Sequence, residues 1–278
     1  MFKTVAICGV GLIGGSFGLA LRKAGFGGEV VGVSSPGTIR EAISMGAIDR
    51  AASLEQAVAK ADLIYLAQPI SVILETIDLL DAAKPSALIT DAGSTKAAIM
   101  ERARRPQRCA QFLGGHPMAG KEVRGVLAAE ADLFVNRSYF LTPETPTEAG
   151  TEAALELRAW LGKVGANVYV ASAAEHDGIV AYTSHLAQLT STALAGTVAA
   201  RLGAAAKPGA GPGLQDMTRL ALSSYDLWAD ILATNSAEID RALGEYIAHL
   251  TAVRAGLPQN LKGQFEAASQ FAKSLRNG

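Results

Sequence analysis

Four stretches of the sequence carry residue types at spacings that can do chemistry. Gly9-Val10-Gly11-Leu12-Ile13-Gly14 matches G-x-G-x-x-G directly after the apolar run Thr4 to Cys8, and it opens a helical stretch to Leu21. In that setting the first glycine permits a tight turn, the second lets the backbone approach a pyrophosphate, and the third allows helix to pack closely on sheet. The helix N-terminus, at Leu12 and Ile13, then offers free N–H groups to the anion. Out of context the pattern is weak, but at the start of an alternating α/β half it favours dinucleotide binding over a bland glycine-rich turn.

The second stretch, Asp91-Ala92-Gly93-Ser94-Thr95-Lys96, follows an expected strand at Ala87 to Thr90. Ligands of open α/β sheets sit beyond the carboxyl ends of strands, which lets Ser94 face a bound nicotinamide. Taken alone, the residues favour the alternative, in which Ser94 or Thr95 caps the next helix. The third stretch, Gly114-Gly115-His116-Pro117-Met118-Ala119-Gly120, again lies just past an expected strand end. The glycines and Pro117 suggest an irregular backbone, and imidazole is the side chain best suited to proton transfer near neutral pH. A lone histidine is more often structural, yet the position of His116 on the same sheet edge as the glycine turn favours catalysis.

The fourth stretch is Leu214-Gln215-Asp216-Met217-Thr218-Arg219. Arg219 can pair bidentately with a substrate carboxylate, and a solvated helix charge explains it equally well. His176 and His185 lie nine residues apart on one expected helix, on opposite faces, so both reach one site only if the helix bends. Cofactor choice rests on the end of the second strand. NAD-preferring domains place an Asp or Glu about 20 residues past the glycine motif, where its charge repels a 2′-phosphate; here that residue is Ser34. Ser35, Thr38, the backbone around Gly37 and Arg40 can serve a phosphate, so NADP is expected to be preferred. The alternative is that Ser34 only caps the next helix and either NADP or NAD is accepted.

The elements that must position these residues follow from the apolar pattern. Short β-rich runs at Thr4–Cys8, Glu29–Val33, Leu63–Ala67, Ala87–Thr90, Gln111–Gly114, Tyr139–Thr142 and Asn167–Val170 alternate with helical segments, which argues for βαβ units in a mainly parallel sheet. After Val170 the strand signals stop. Ser172-Ala173-Ala174-Glu175 fits a capping box at the start of a long helix, and Ile239, Leu243, Tyr246, Ile247, Leu250 and Val253 form an amphipathic stripe suited to core or subunit contact. Lys207 to Gly213 is expected to be a mobile loop, and Pro143 to Gly150 a linker. The expected fold is α/β, with an N-terminal Rossmann dinucleotide-binding domain at 1–170 followed by an all-helical domain at 171–278.

Composition narrows the class further. At 278 residues, with 49% hydrophobic and 18% charged residues, the chain is neither disordered nor fibrous. A net charge of −1 gives no support to nucleic acid or an anionic membrane as partner. Cys8 and Cys109 make neither a disulfide framework nor a C-x-x-C pair suited to metal or redox work, which fits the cytoplasm and no metal site. Glycines interrupt the apolar N-terminus, so it is read as folded chain, not as a signal peptide.

Taken together, Gly11 to Ser16, Asp91 to Lys96, Gly114 to Gly120, His176-Asp177, Ser184-His185-Leu186 and Asp216 to Arg219 stand in the order and spacing of the prephenate/arogenate dehydrogenase family of tyrosine biosynthesis, which the chain resembles over nearly its whole length. The resemblance implies a Rossmann domain, a helical domain that makes a homodimer, and an active site in the cleft between them. It implies oxidative decarboxylation of arogenate or prephenate with hydride transfer to NAD or NADP. His116 matches the catalytic histidine, Ser94 its partner at the substrate hydroxyl, and Arg219 the carboxylate-binding arginine. His185 matches the first histidine of a Ser-His-Leu-Pro-His substrate-binding pattern, from which the chain departs at Ala187 and Gln188. Two other readings remain: a related Rossmann-plus-helical dehydrogenase acting on a β-hydroxy or imino acid, and a non-catalytic dinucleotide sensor.

Overall fold

The computed structural model describes residues 1–84, 86–104, 110–121 and 123–276; Cys109 lies outside them. Among the described residues, eight strands form one sheet in the order β3-β2-β1-β4-β5-β6-β7-β8. The strands are β1 (Thr4–Cys8), β2 (Glu29–Val33), β3 (Arg50–Ala51), β4 (Leu63–Leu66), β5 (Leu88–Asp91), β6 (Gln111–Pro117), β7 (Ser138–Thr142) and β8 (Asn167–Val170). Pairing is parallel from β3 to β6, antiparallel between β6 and β7, and parallel again between β7 and β8. The two-residue β3 escapes the apolar pattern because both its residues are exposed.

Helices α1 (Leu12–Lys23), α2 (Pro36–Ser44), α3 (Leu54–Lys60), α4 (Ile70–Ile77), α5 (Ala97–Ala103) and α6 (Glu152–Lys163) complete this half. They cover both faces of the sheet, which is why the central strands are continuously apolar. In β1, Val5 and Ile7 join one core with Phe17, Leu157 and Leu161, while Ala6 and Cys8 join the other with Val58, Ile73 and Ile99. The Phe17 and Tyr65 rings stack at 4.0 Å in the first of these cores.

From Ser172 on, the described chain is helical. Ser172 Oγ accepts the N–H of Glu175, and the Glu175 carboxylate accepts the N–H of Ser172, closing the expected capping box at the start of α7 (Ala173–Val180). The helix does not run on unbroken, because a π turn at Ala181–His185 separates α7 from α8 (Leu186–Leu202). Each π turn closes i→i+5 bonds and so inserts a residue, re-aiming the side chains beyond it. That is the bend that brings His176 and His185 inward together, at 0% and 1% exposure.

The segment expected to be a loop too rich in Gly and Pro for regular structure is instead mostly turn and helix. Gly203–Gly209 forms 3₁₀ turns and Pro212 begins α9 (Pro212–Thr218), where its fixed φ and missing N–H suit a first helical turn. A 3₁₀ turn at Arg219–Leu222 leads to α10 (Tyr225–Thr234), α11 (Ser236–Ala255) and α12 (Lys262–Ser274). Of the apolar stripe of α11, Ile239 is buried while Ile247 and Leu250 are exposed, as are Phe265 and Phe271 of α12. No helix among the described residues is long and apolar enough to cross a membrane.

Candidate active site

The glycine turn is shaped as its motif requires. Gly9 has φ +91°, a conformation that favours glycine, and a Cβ there would stand 2.6 Å from the Ala67 carbonyl oxygen. A Cβ on Gly14 would meet the Gly9 carbonyl oxygen at 2.2 Å, so helix and turn pack without a side chain between them. At Gly11 a Cβ would meet nothing within 4 Å. That open position, beside the first N–H groups of α1 at Leu12 and Ile13, which no side chain caps, fits a pyrophosphate. At the end of β2, Ser35 is the N-cap of α2: its Oγ accepts the Thr38 N–H at 3.4 Å and lies 3.0 Å from Thr38 Oγ1. Ser34 is exposed beside it.

Two strands along from β1, β5 ends in Asp91, which with Lys96 is fully buried. Lys96 Nζ forms an ion pair with Asp91 Oδ2 and also donates to the Gly115 carbonyl oxygen at 2.8 Å. The same carboxylate accepts the Gly93 N–H at 2.8 Å and the Gly115 N–H at 3.1 Å. Ser94 and His116 are the residues next to these two amides, so one buried carboxylate sets their spacing. Gly115 has to be glycine for this approach, since a Cβ would stand 2.5 Å from the Asp91 carbonyl oxygen.

His116 is not on an irregular loop past a strand end, as the glycines and Pro117 suggested. It lies inside β6, opposite Phe140 of β7. Only Gln111 to Leu113 of β6 pair with β5; for the four residues that follow, β7 is the paired strand, and the Asp91 and Lys96 side chains hold Gly115 from the other side. The His116 ring is 8% exposed, and its Nδ1 is 2.8 Å from His176 Nε2. Burial pushes its pKa well below 6.5, and the neighbouring His176, Lys96 and His185 push the same way.

The helix cap expected of Ser94 or Thr95 comes from elsewhere. Asp177, on α7 of the helical half, accepts the N–H of Lys96 at 2.7 Å and of Ala97 at 2.8 Å, capping α5 across the boundary between the halves. Thr95 Oγ1 pairs with Thr234 Oγ1 at 2.7 Å. The Ser94 hydroxyl is therefore not committed to the cap. Asp177 Oδ1 also lies 2.8 Å from His176 Nδ1, and its backbone carbonyl accepts from Asn235 Nδ2 at 3.0 Å. Asn235 Nδ2 is 3.3 Å from His185 Nδ1. Since an amide NH2 only donates, His185 Nδ1 is the acceptor and its proton sits on Nε2. Burial lowers the His185 pKa to about 4, with His176 adding to the shift and Asp177 opposing it, so this ring is a neutral donor.

Arg219 is not part of this buried cluster. It begins the exposed 3₁₀ turn after α9, and the turn is anchored to α8: Gln188 Nε2 donates to the Leu220 carbonyl oxygen at 2.8 Å, and Ser191 Oγ accepts the Ala221 N–H at 3.1 Å. Gln188, which stands where the resembled pattern has its second histidine, is thus a buried tether of the arginine turn. The roles of His176, Asp177, Asn235 and Gln188 escape sequence reasoning because each acts on a partner at least 32 residues away, apart from the His176–Asp177 pair itself.

A glycine turn fitted to a dinucleotide, with a buried neutral imidazole in the same sheet, defines a Rossmann-type oxidoreductase. The chain belongs to the prephenate dehydrogenase family: residues 17–170 match the model of its nucleotide-binding domain and residues 172–272 that of its dimerization domain. It is 34% identical to the prephenate dehydrogenase of Bacillus subtilis, over 99% of this chain and 76% of that protein. The crystal structure of Synechocystis arogenate dehydrogenase superposes with TM-score 0.80 at 30% identity, covering 99% of both chains. That of A. aeolicus prephenate dehydrogenase, in complex with hydroxyphenyl propionate and NAD+, superposes with TM-score 0.85 at 27% identity, over 99% of this chain and 98% of the other.

The buried ion pair generates a stability prediction. Removing one partner of such a pair leaves an uncompensated charge and costs about 3–5 kcal/mol. Lys96→Met is expected to lose about that much in urea unfolding. A loss under about 1 kcal/mol would contradict the role given to the pair.

Proposed function

We propose that the protein catalyses oxidative decarboxylation of prephenate, arogenate or both in tyrosine biosynthesis, using a nicotinamide cofactor with NADP preferred over NAD. The observation that carries this reading is a buried His116 whose neighbour Gly115 shares the Asp91 carboxylate with Gly93, the neighbour of Ser94, in the same sheet as the glycine turn. Gly9, Gly11 and Gly14, with the N–H groups of Leu12 and Ile13, hold the pyrophosphate, and Ser34 and Ser35 meet the adenosine ribose. The nicotinamide, when bound there, supplies the hydride acceptor.

His116 takes the proton of the substrate 4-hydroxyl as hydride leaves the same carbon. The bond to the ring carboxylate breaks, its electron pair enters the ring as CO2 departs, and the product oxygen recovers a proton as a phenol. Aromatisation drives the reaction, so the protein has mainly to orient the groups and supply the base. Ser94 hydrogen-bonds the 4-hydroxyl, the His185 Nε2–H donates to the substrate, and Arg219 pairs with a substrate carboxylate. The exposed apolar side chains of α11 and α12 meet a second copy of the chain in a homodimer. We place the enzyme in the cytoplasm.

Cofactor reduction measured with prephenate or arogenate against NAD or NADP tests the reading. Turnover with at least one of the two substrates is expected, and none with either would overturn it. His116→Asn is expected to lower turnover by about 10²–10⁴ while leaving cofactor affinity nearly unchanged; turnover within threefold of the parent would contradict this. The base works only when neutral, and its pKa lies below 6.5. The acid limb of the kcat/KM profile is therefore expected below pH 6.5, with a plateau above it. A limb centred at or above 6.5 would count against His116.

Cofactor choice follows from the absent carboxylate. With Ser34 and Ser35 at the end of β2, NADP is expected to be used more efficiently than NAD, and Ser34→Asp is expected to reverse the order by repelling the 2′-phosphate. A parent enzyme at least tenfold better with NAD would show that Ser34 does not discriminate.

A further inference from the structure

Behind His116 stands a second histidine that the reaction above leaves without a task. His176 is fully buried, with Nε2 2.8 Å from His116 Nδ1 and Nδ1 2.8 Å from Asp177 Oδ1. The edge of Phe140, the cross-strand neighbour of His116, packs on the His176 ring at 5.1 Å and 79°. The same Asp177 oxygen accepts the Lys96 N–H, which ties it to the strand-end loop that carries Ser94.

Proton positions along this row follow from what each group can do. A carboxylate only accepts, so His176 Nδ1 is the donor to Asp177 and carries the proton. With that single proton on the His176 ring, Nε2 is bare and can only accept, and His116 Nδ1 then carries the proton between the two histidines. His116 Nε2 is left with a lone pair and no hydrogen-bond partner among the described residues. That is the tautomer a general base requires.

We propose that His176 and Asp177 are positioning residues that fix His116 in its Nδ1-protonated tautomer, so that Nε2 is the base and helical half and sheet complete the site together. This deepens the role proposed for His116 and rests on that reading. When Nε2 takes the substrate proton, the Nδ1–H bond to His176 persists, and the new cation faces a ring backed by the Asp177 carboxylate. Without His176 the Nδ1 proton has no acceptor, and the ring loses its preference for the productive tautomer. Sequence spacing hides this row, since His116 and His176 are 60 residues apart on different halves.

Nitrogen-15 NMR of histidine-labelled protein without substrate tests the tautomer directly. The chain has four histidines, and the His116 signal is identified by its loss in His116→Asn. The parent is expected to show His116 protonated on Nδ1, and His176→Phe to show a tautomer mixture or the Nε2-protonated form. A parent already protonated on Nε2, or a His176→Phe spectrum unchanged at His116, would overturn the proposal. Because this readout needs no turnover, it stays decisive even if neither substrate is consumed.

Kinetics add a second readout. His176→Phe is expected to lower kcat at least tenfold with the KM for cofactor within twofold, while His176→Gln, whose amide can accept from His116 and donate to Asp177, recovers at least a third of parent kcat. A His176→Phe enzyme with parent kcat would overturn the proposal. So would His176→Gln falling as far as His176→Phe while circular dichroism shows both folded.

Discussion

One carboxylate, that of Asp177, ties the helical half to the sheet at the point where the chemistry is proposed. It accepts two backbone N–H groups at the start of α5, it holds the buried His176, and the carbonyl of the same residue accepts from Asn235. A helix N-terminus carries unsatisfied donors and partial positive charge, so an acidic side chain is well placed there. What is unusual is its source, 80 residues further along the chain and on another half. The strand-end loop and the histidine row therefore form together, and each half is incomplete at this spot without the other. Further ties run the same way: Asp230 Oδ2 accepts the backbone and hydroxyl of Ser71, both at 2.9 Å, and Ile231 enters the sheet's second core.

Beneath this junction lies the Asp91–Lys96 pair, a costlier device. Two charges at 0% exposure lose their hydration, and their attraction offsets that loss only because the remaining donors and acceptors are bonded as well. Here they are, to Gly93, Gly115 and the Gly115 carbonyl. The pair fixes where the loop of Ser94 and the extension of β6 stand relative to each other, and Gly115 leaves room for it. Lys96 has a further effect at a distance: its charge is among those that hold His116 neutral, behind burial and His176. Geometry and electrostatics at His116 thus share a source.

Much of the architecture was legible in the chain, because buried parallel strands are continuous apolar runs and the glycine turn has a mechanical reason for each glycine. The His116 stretch was legible as a candidate for chemistry but not as structure. Its glycines suggested an irregular loop, whereas they permit a strand to run on against a buried carboxylate. Ser94 could not be separated from a helix cap by spacing alone, since the residue that caps α5 lies on another half. The π turn at Ala181–His185 was implied only as a necessity, through two histidines on opposite faces of one expected helix. In Lys207 to Gly213, composition pointed to a mobile loop, while Pro212 at the first helical position does what proline does well. Each miss is a case where a partner distant in sequence, or a local backbone rule, outweighed the average habit of a residue.

The account's central claim is that Asp177 assembles the site across the two halves, and amide hydrogen exchange reads it most directly. Residues 94–100 are compared in the parent and in Asp177→Ala, with the amides of β1, β4 and β5 as reference. The account predicts that protection at Lys96 and Ala97 falls at least tenfold in the variant while the reference strands keep theirs. Unchanged protection at Lys96 and Ala97 would contradict it, because those amides would then owe their shelter to the Rossmann half alone.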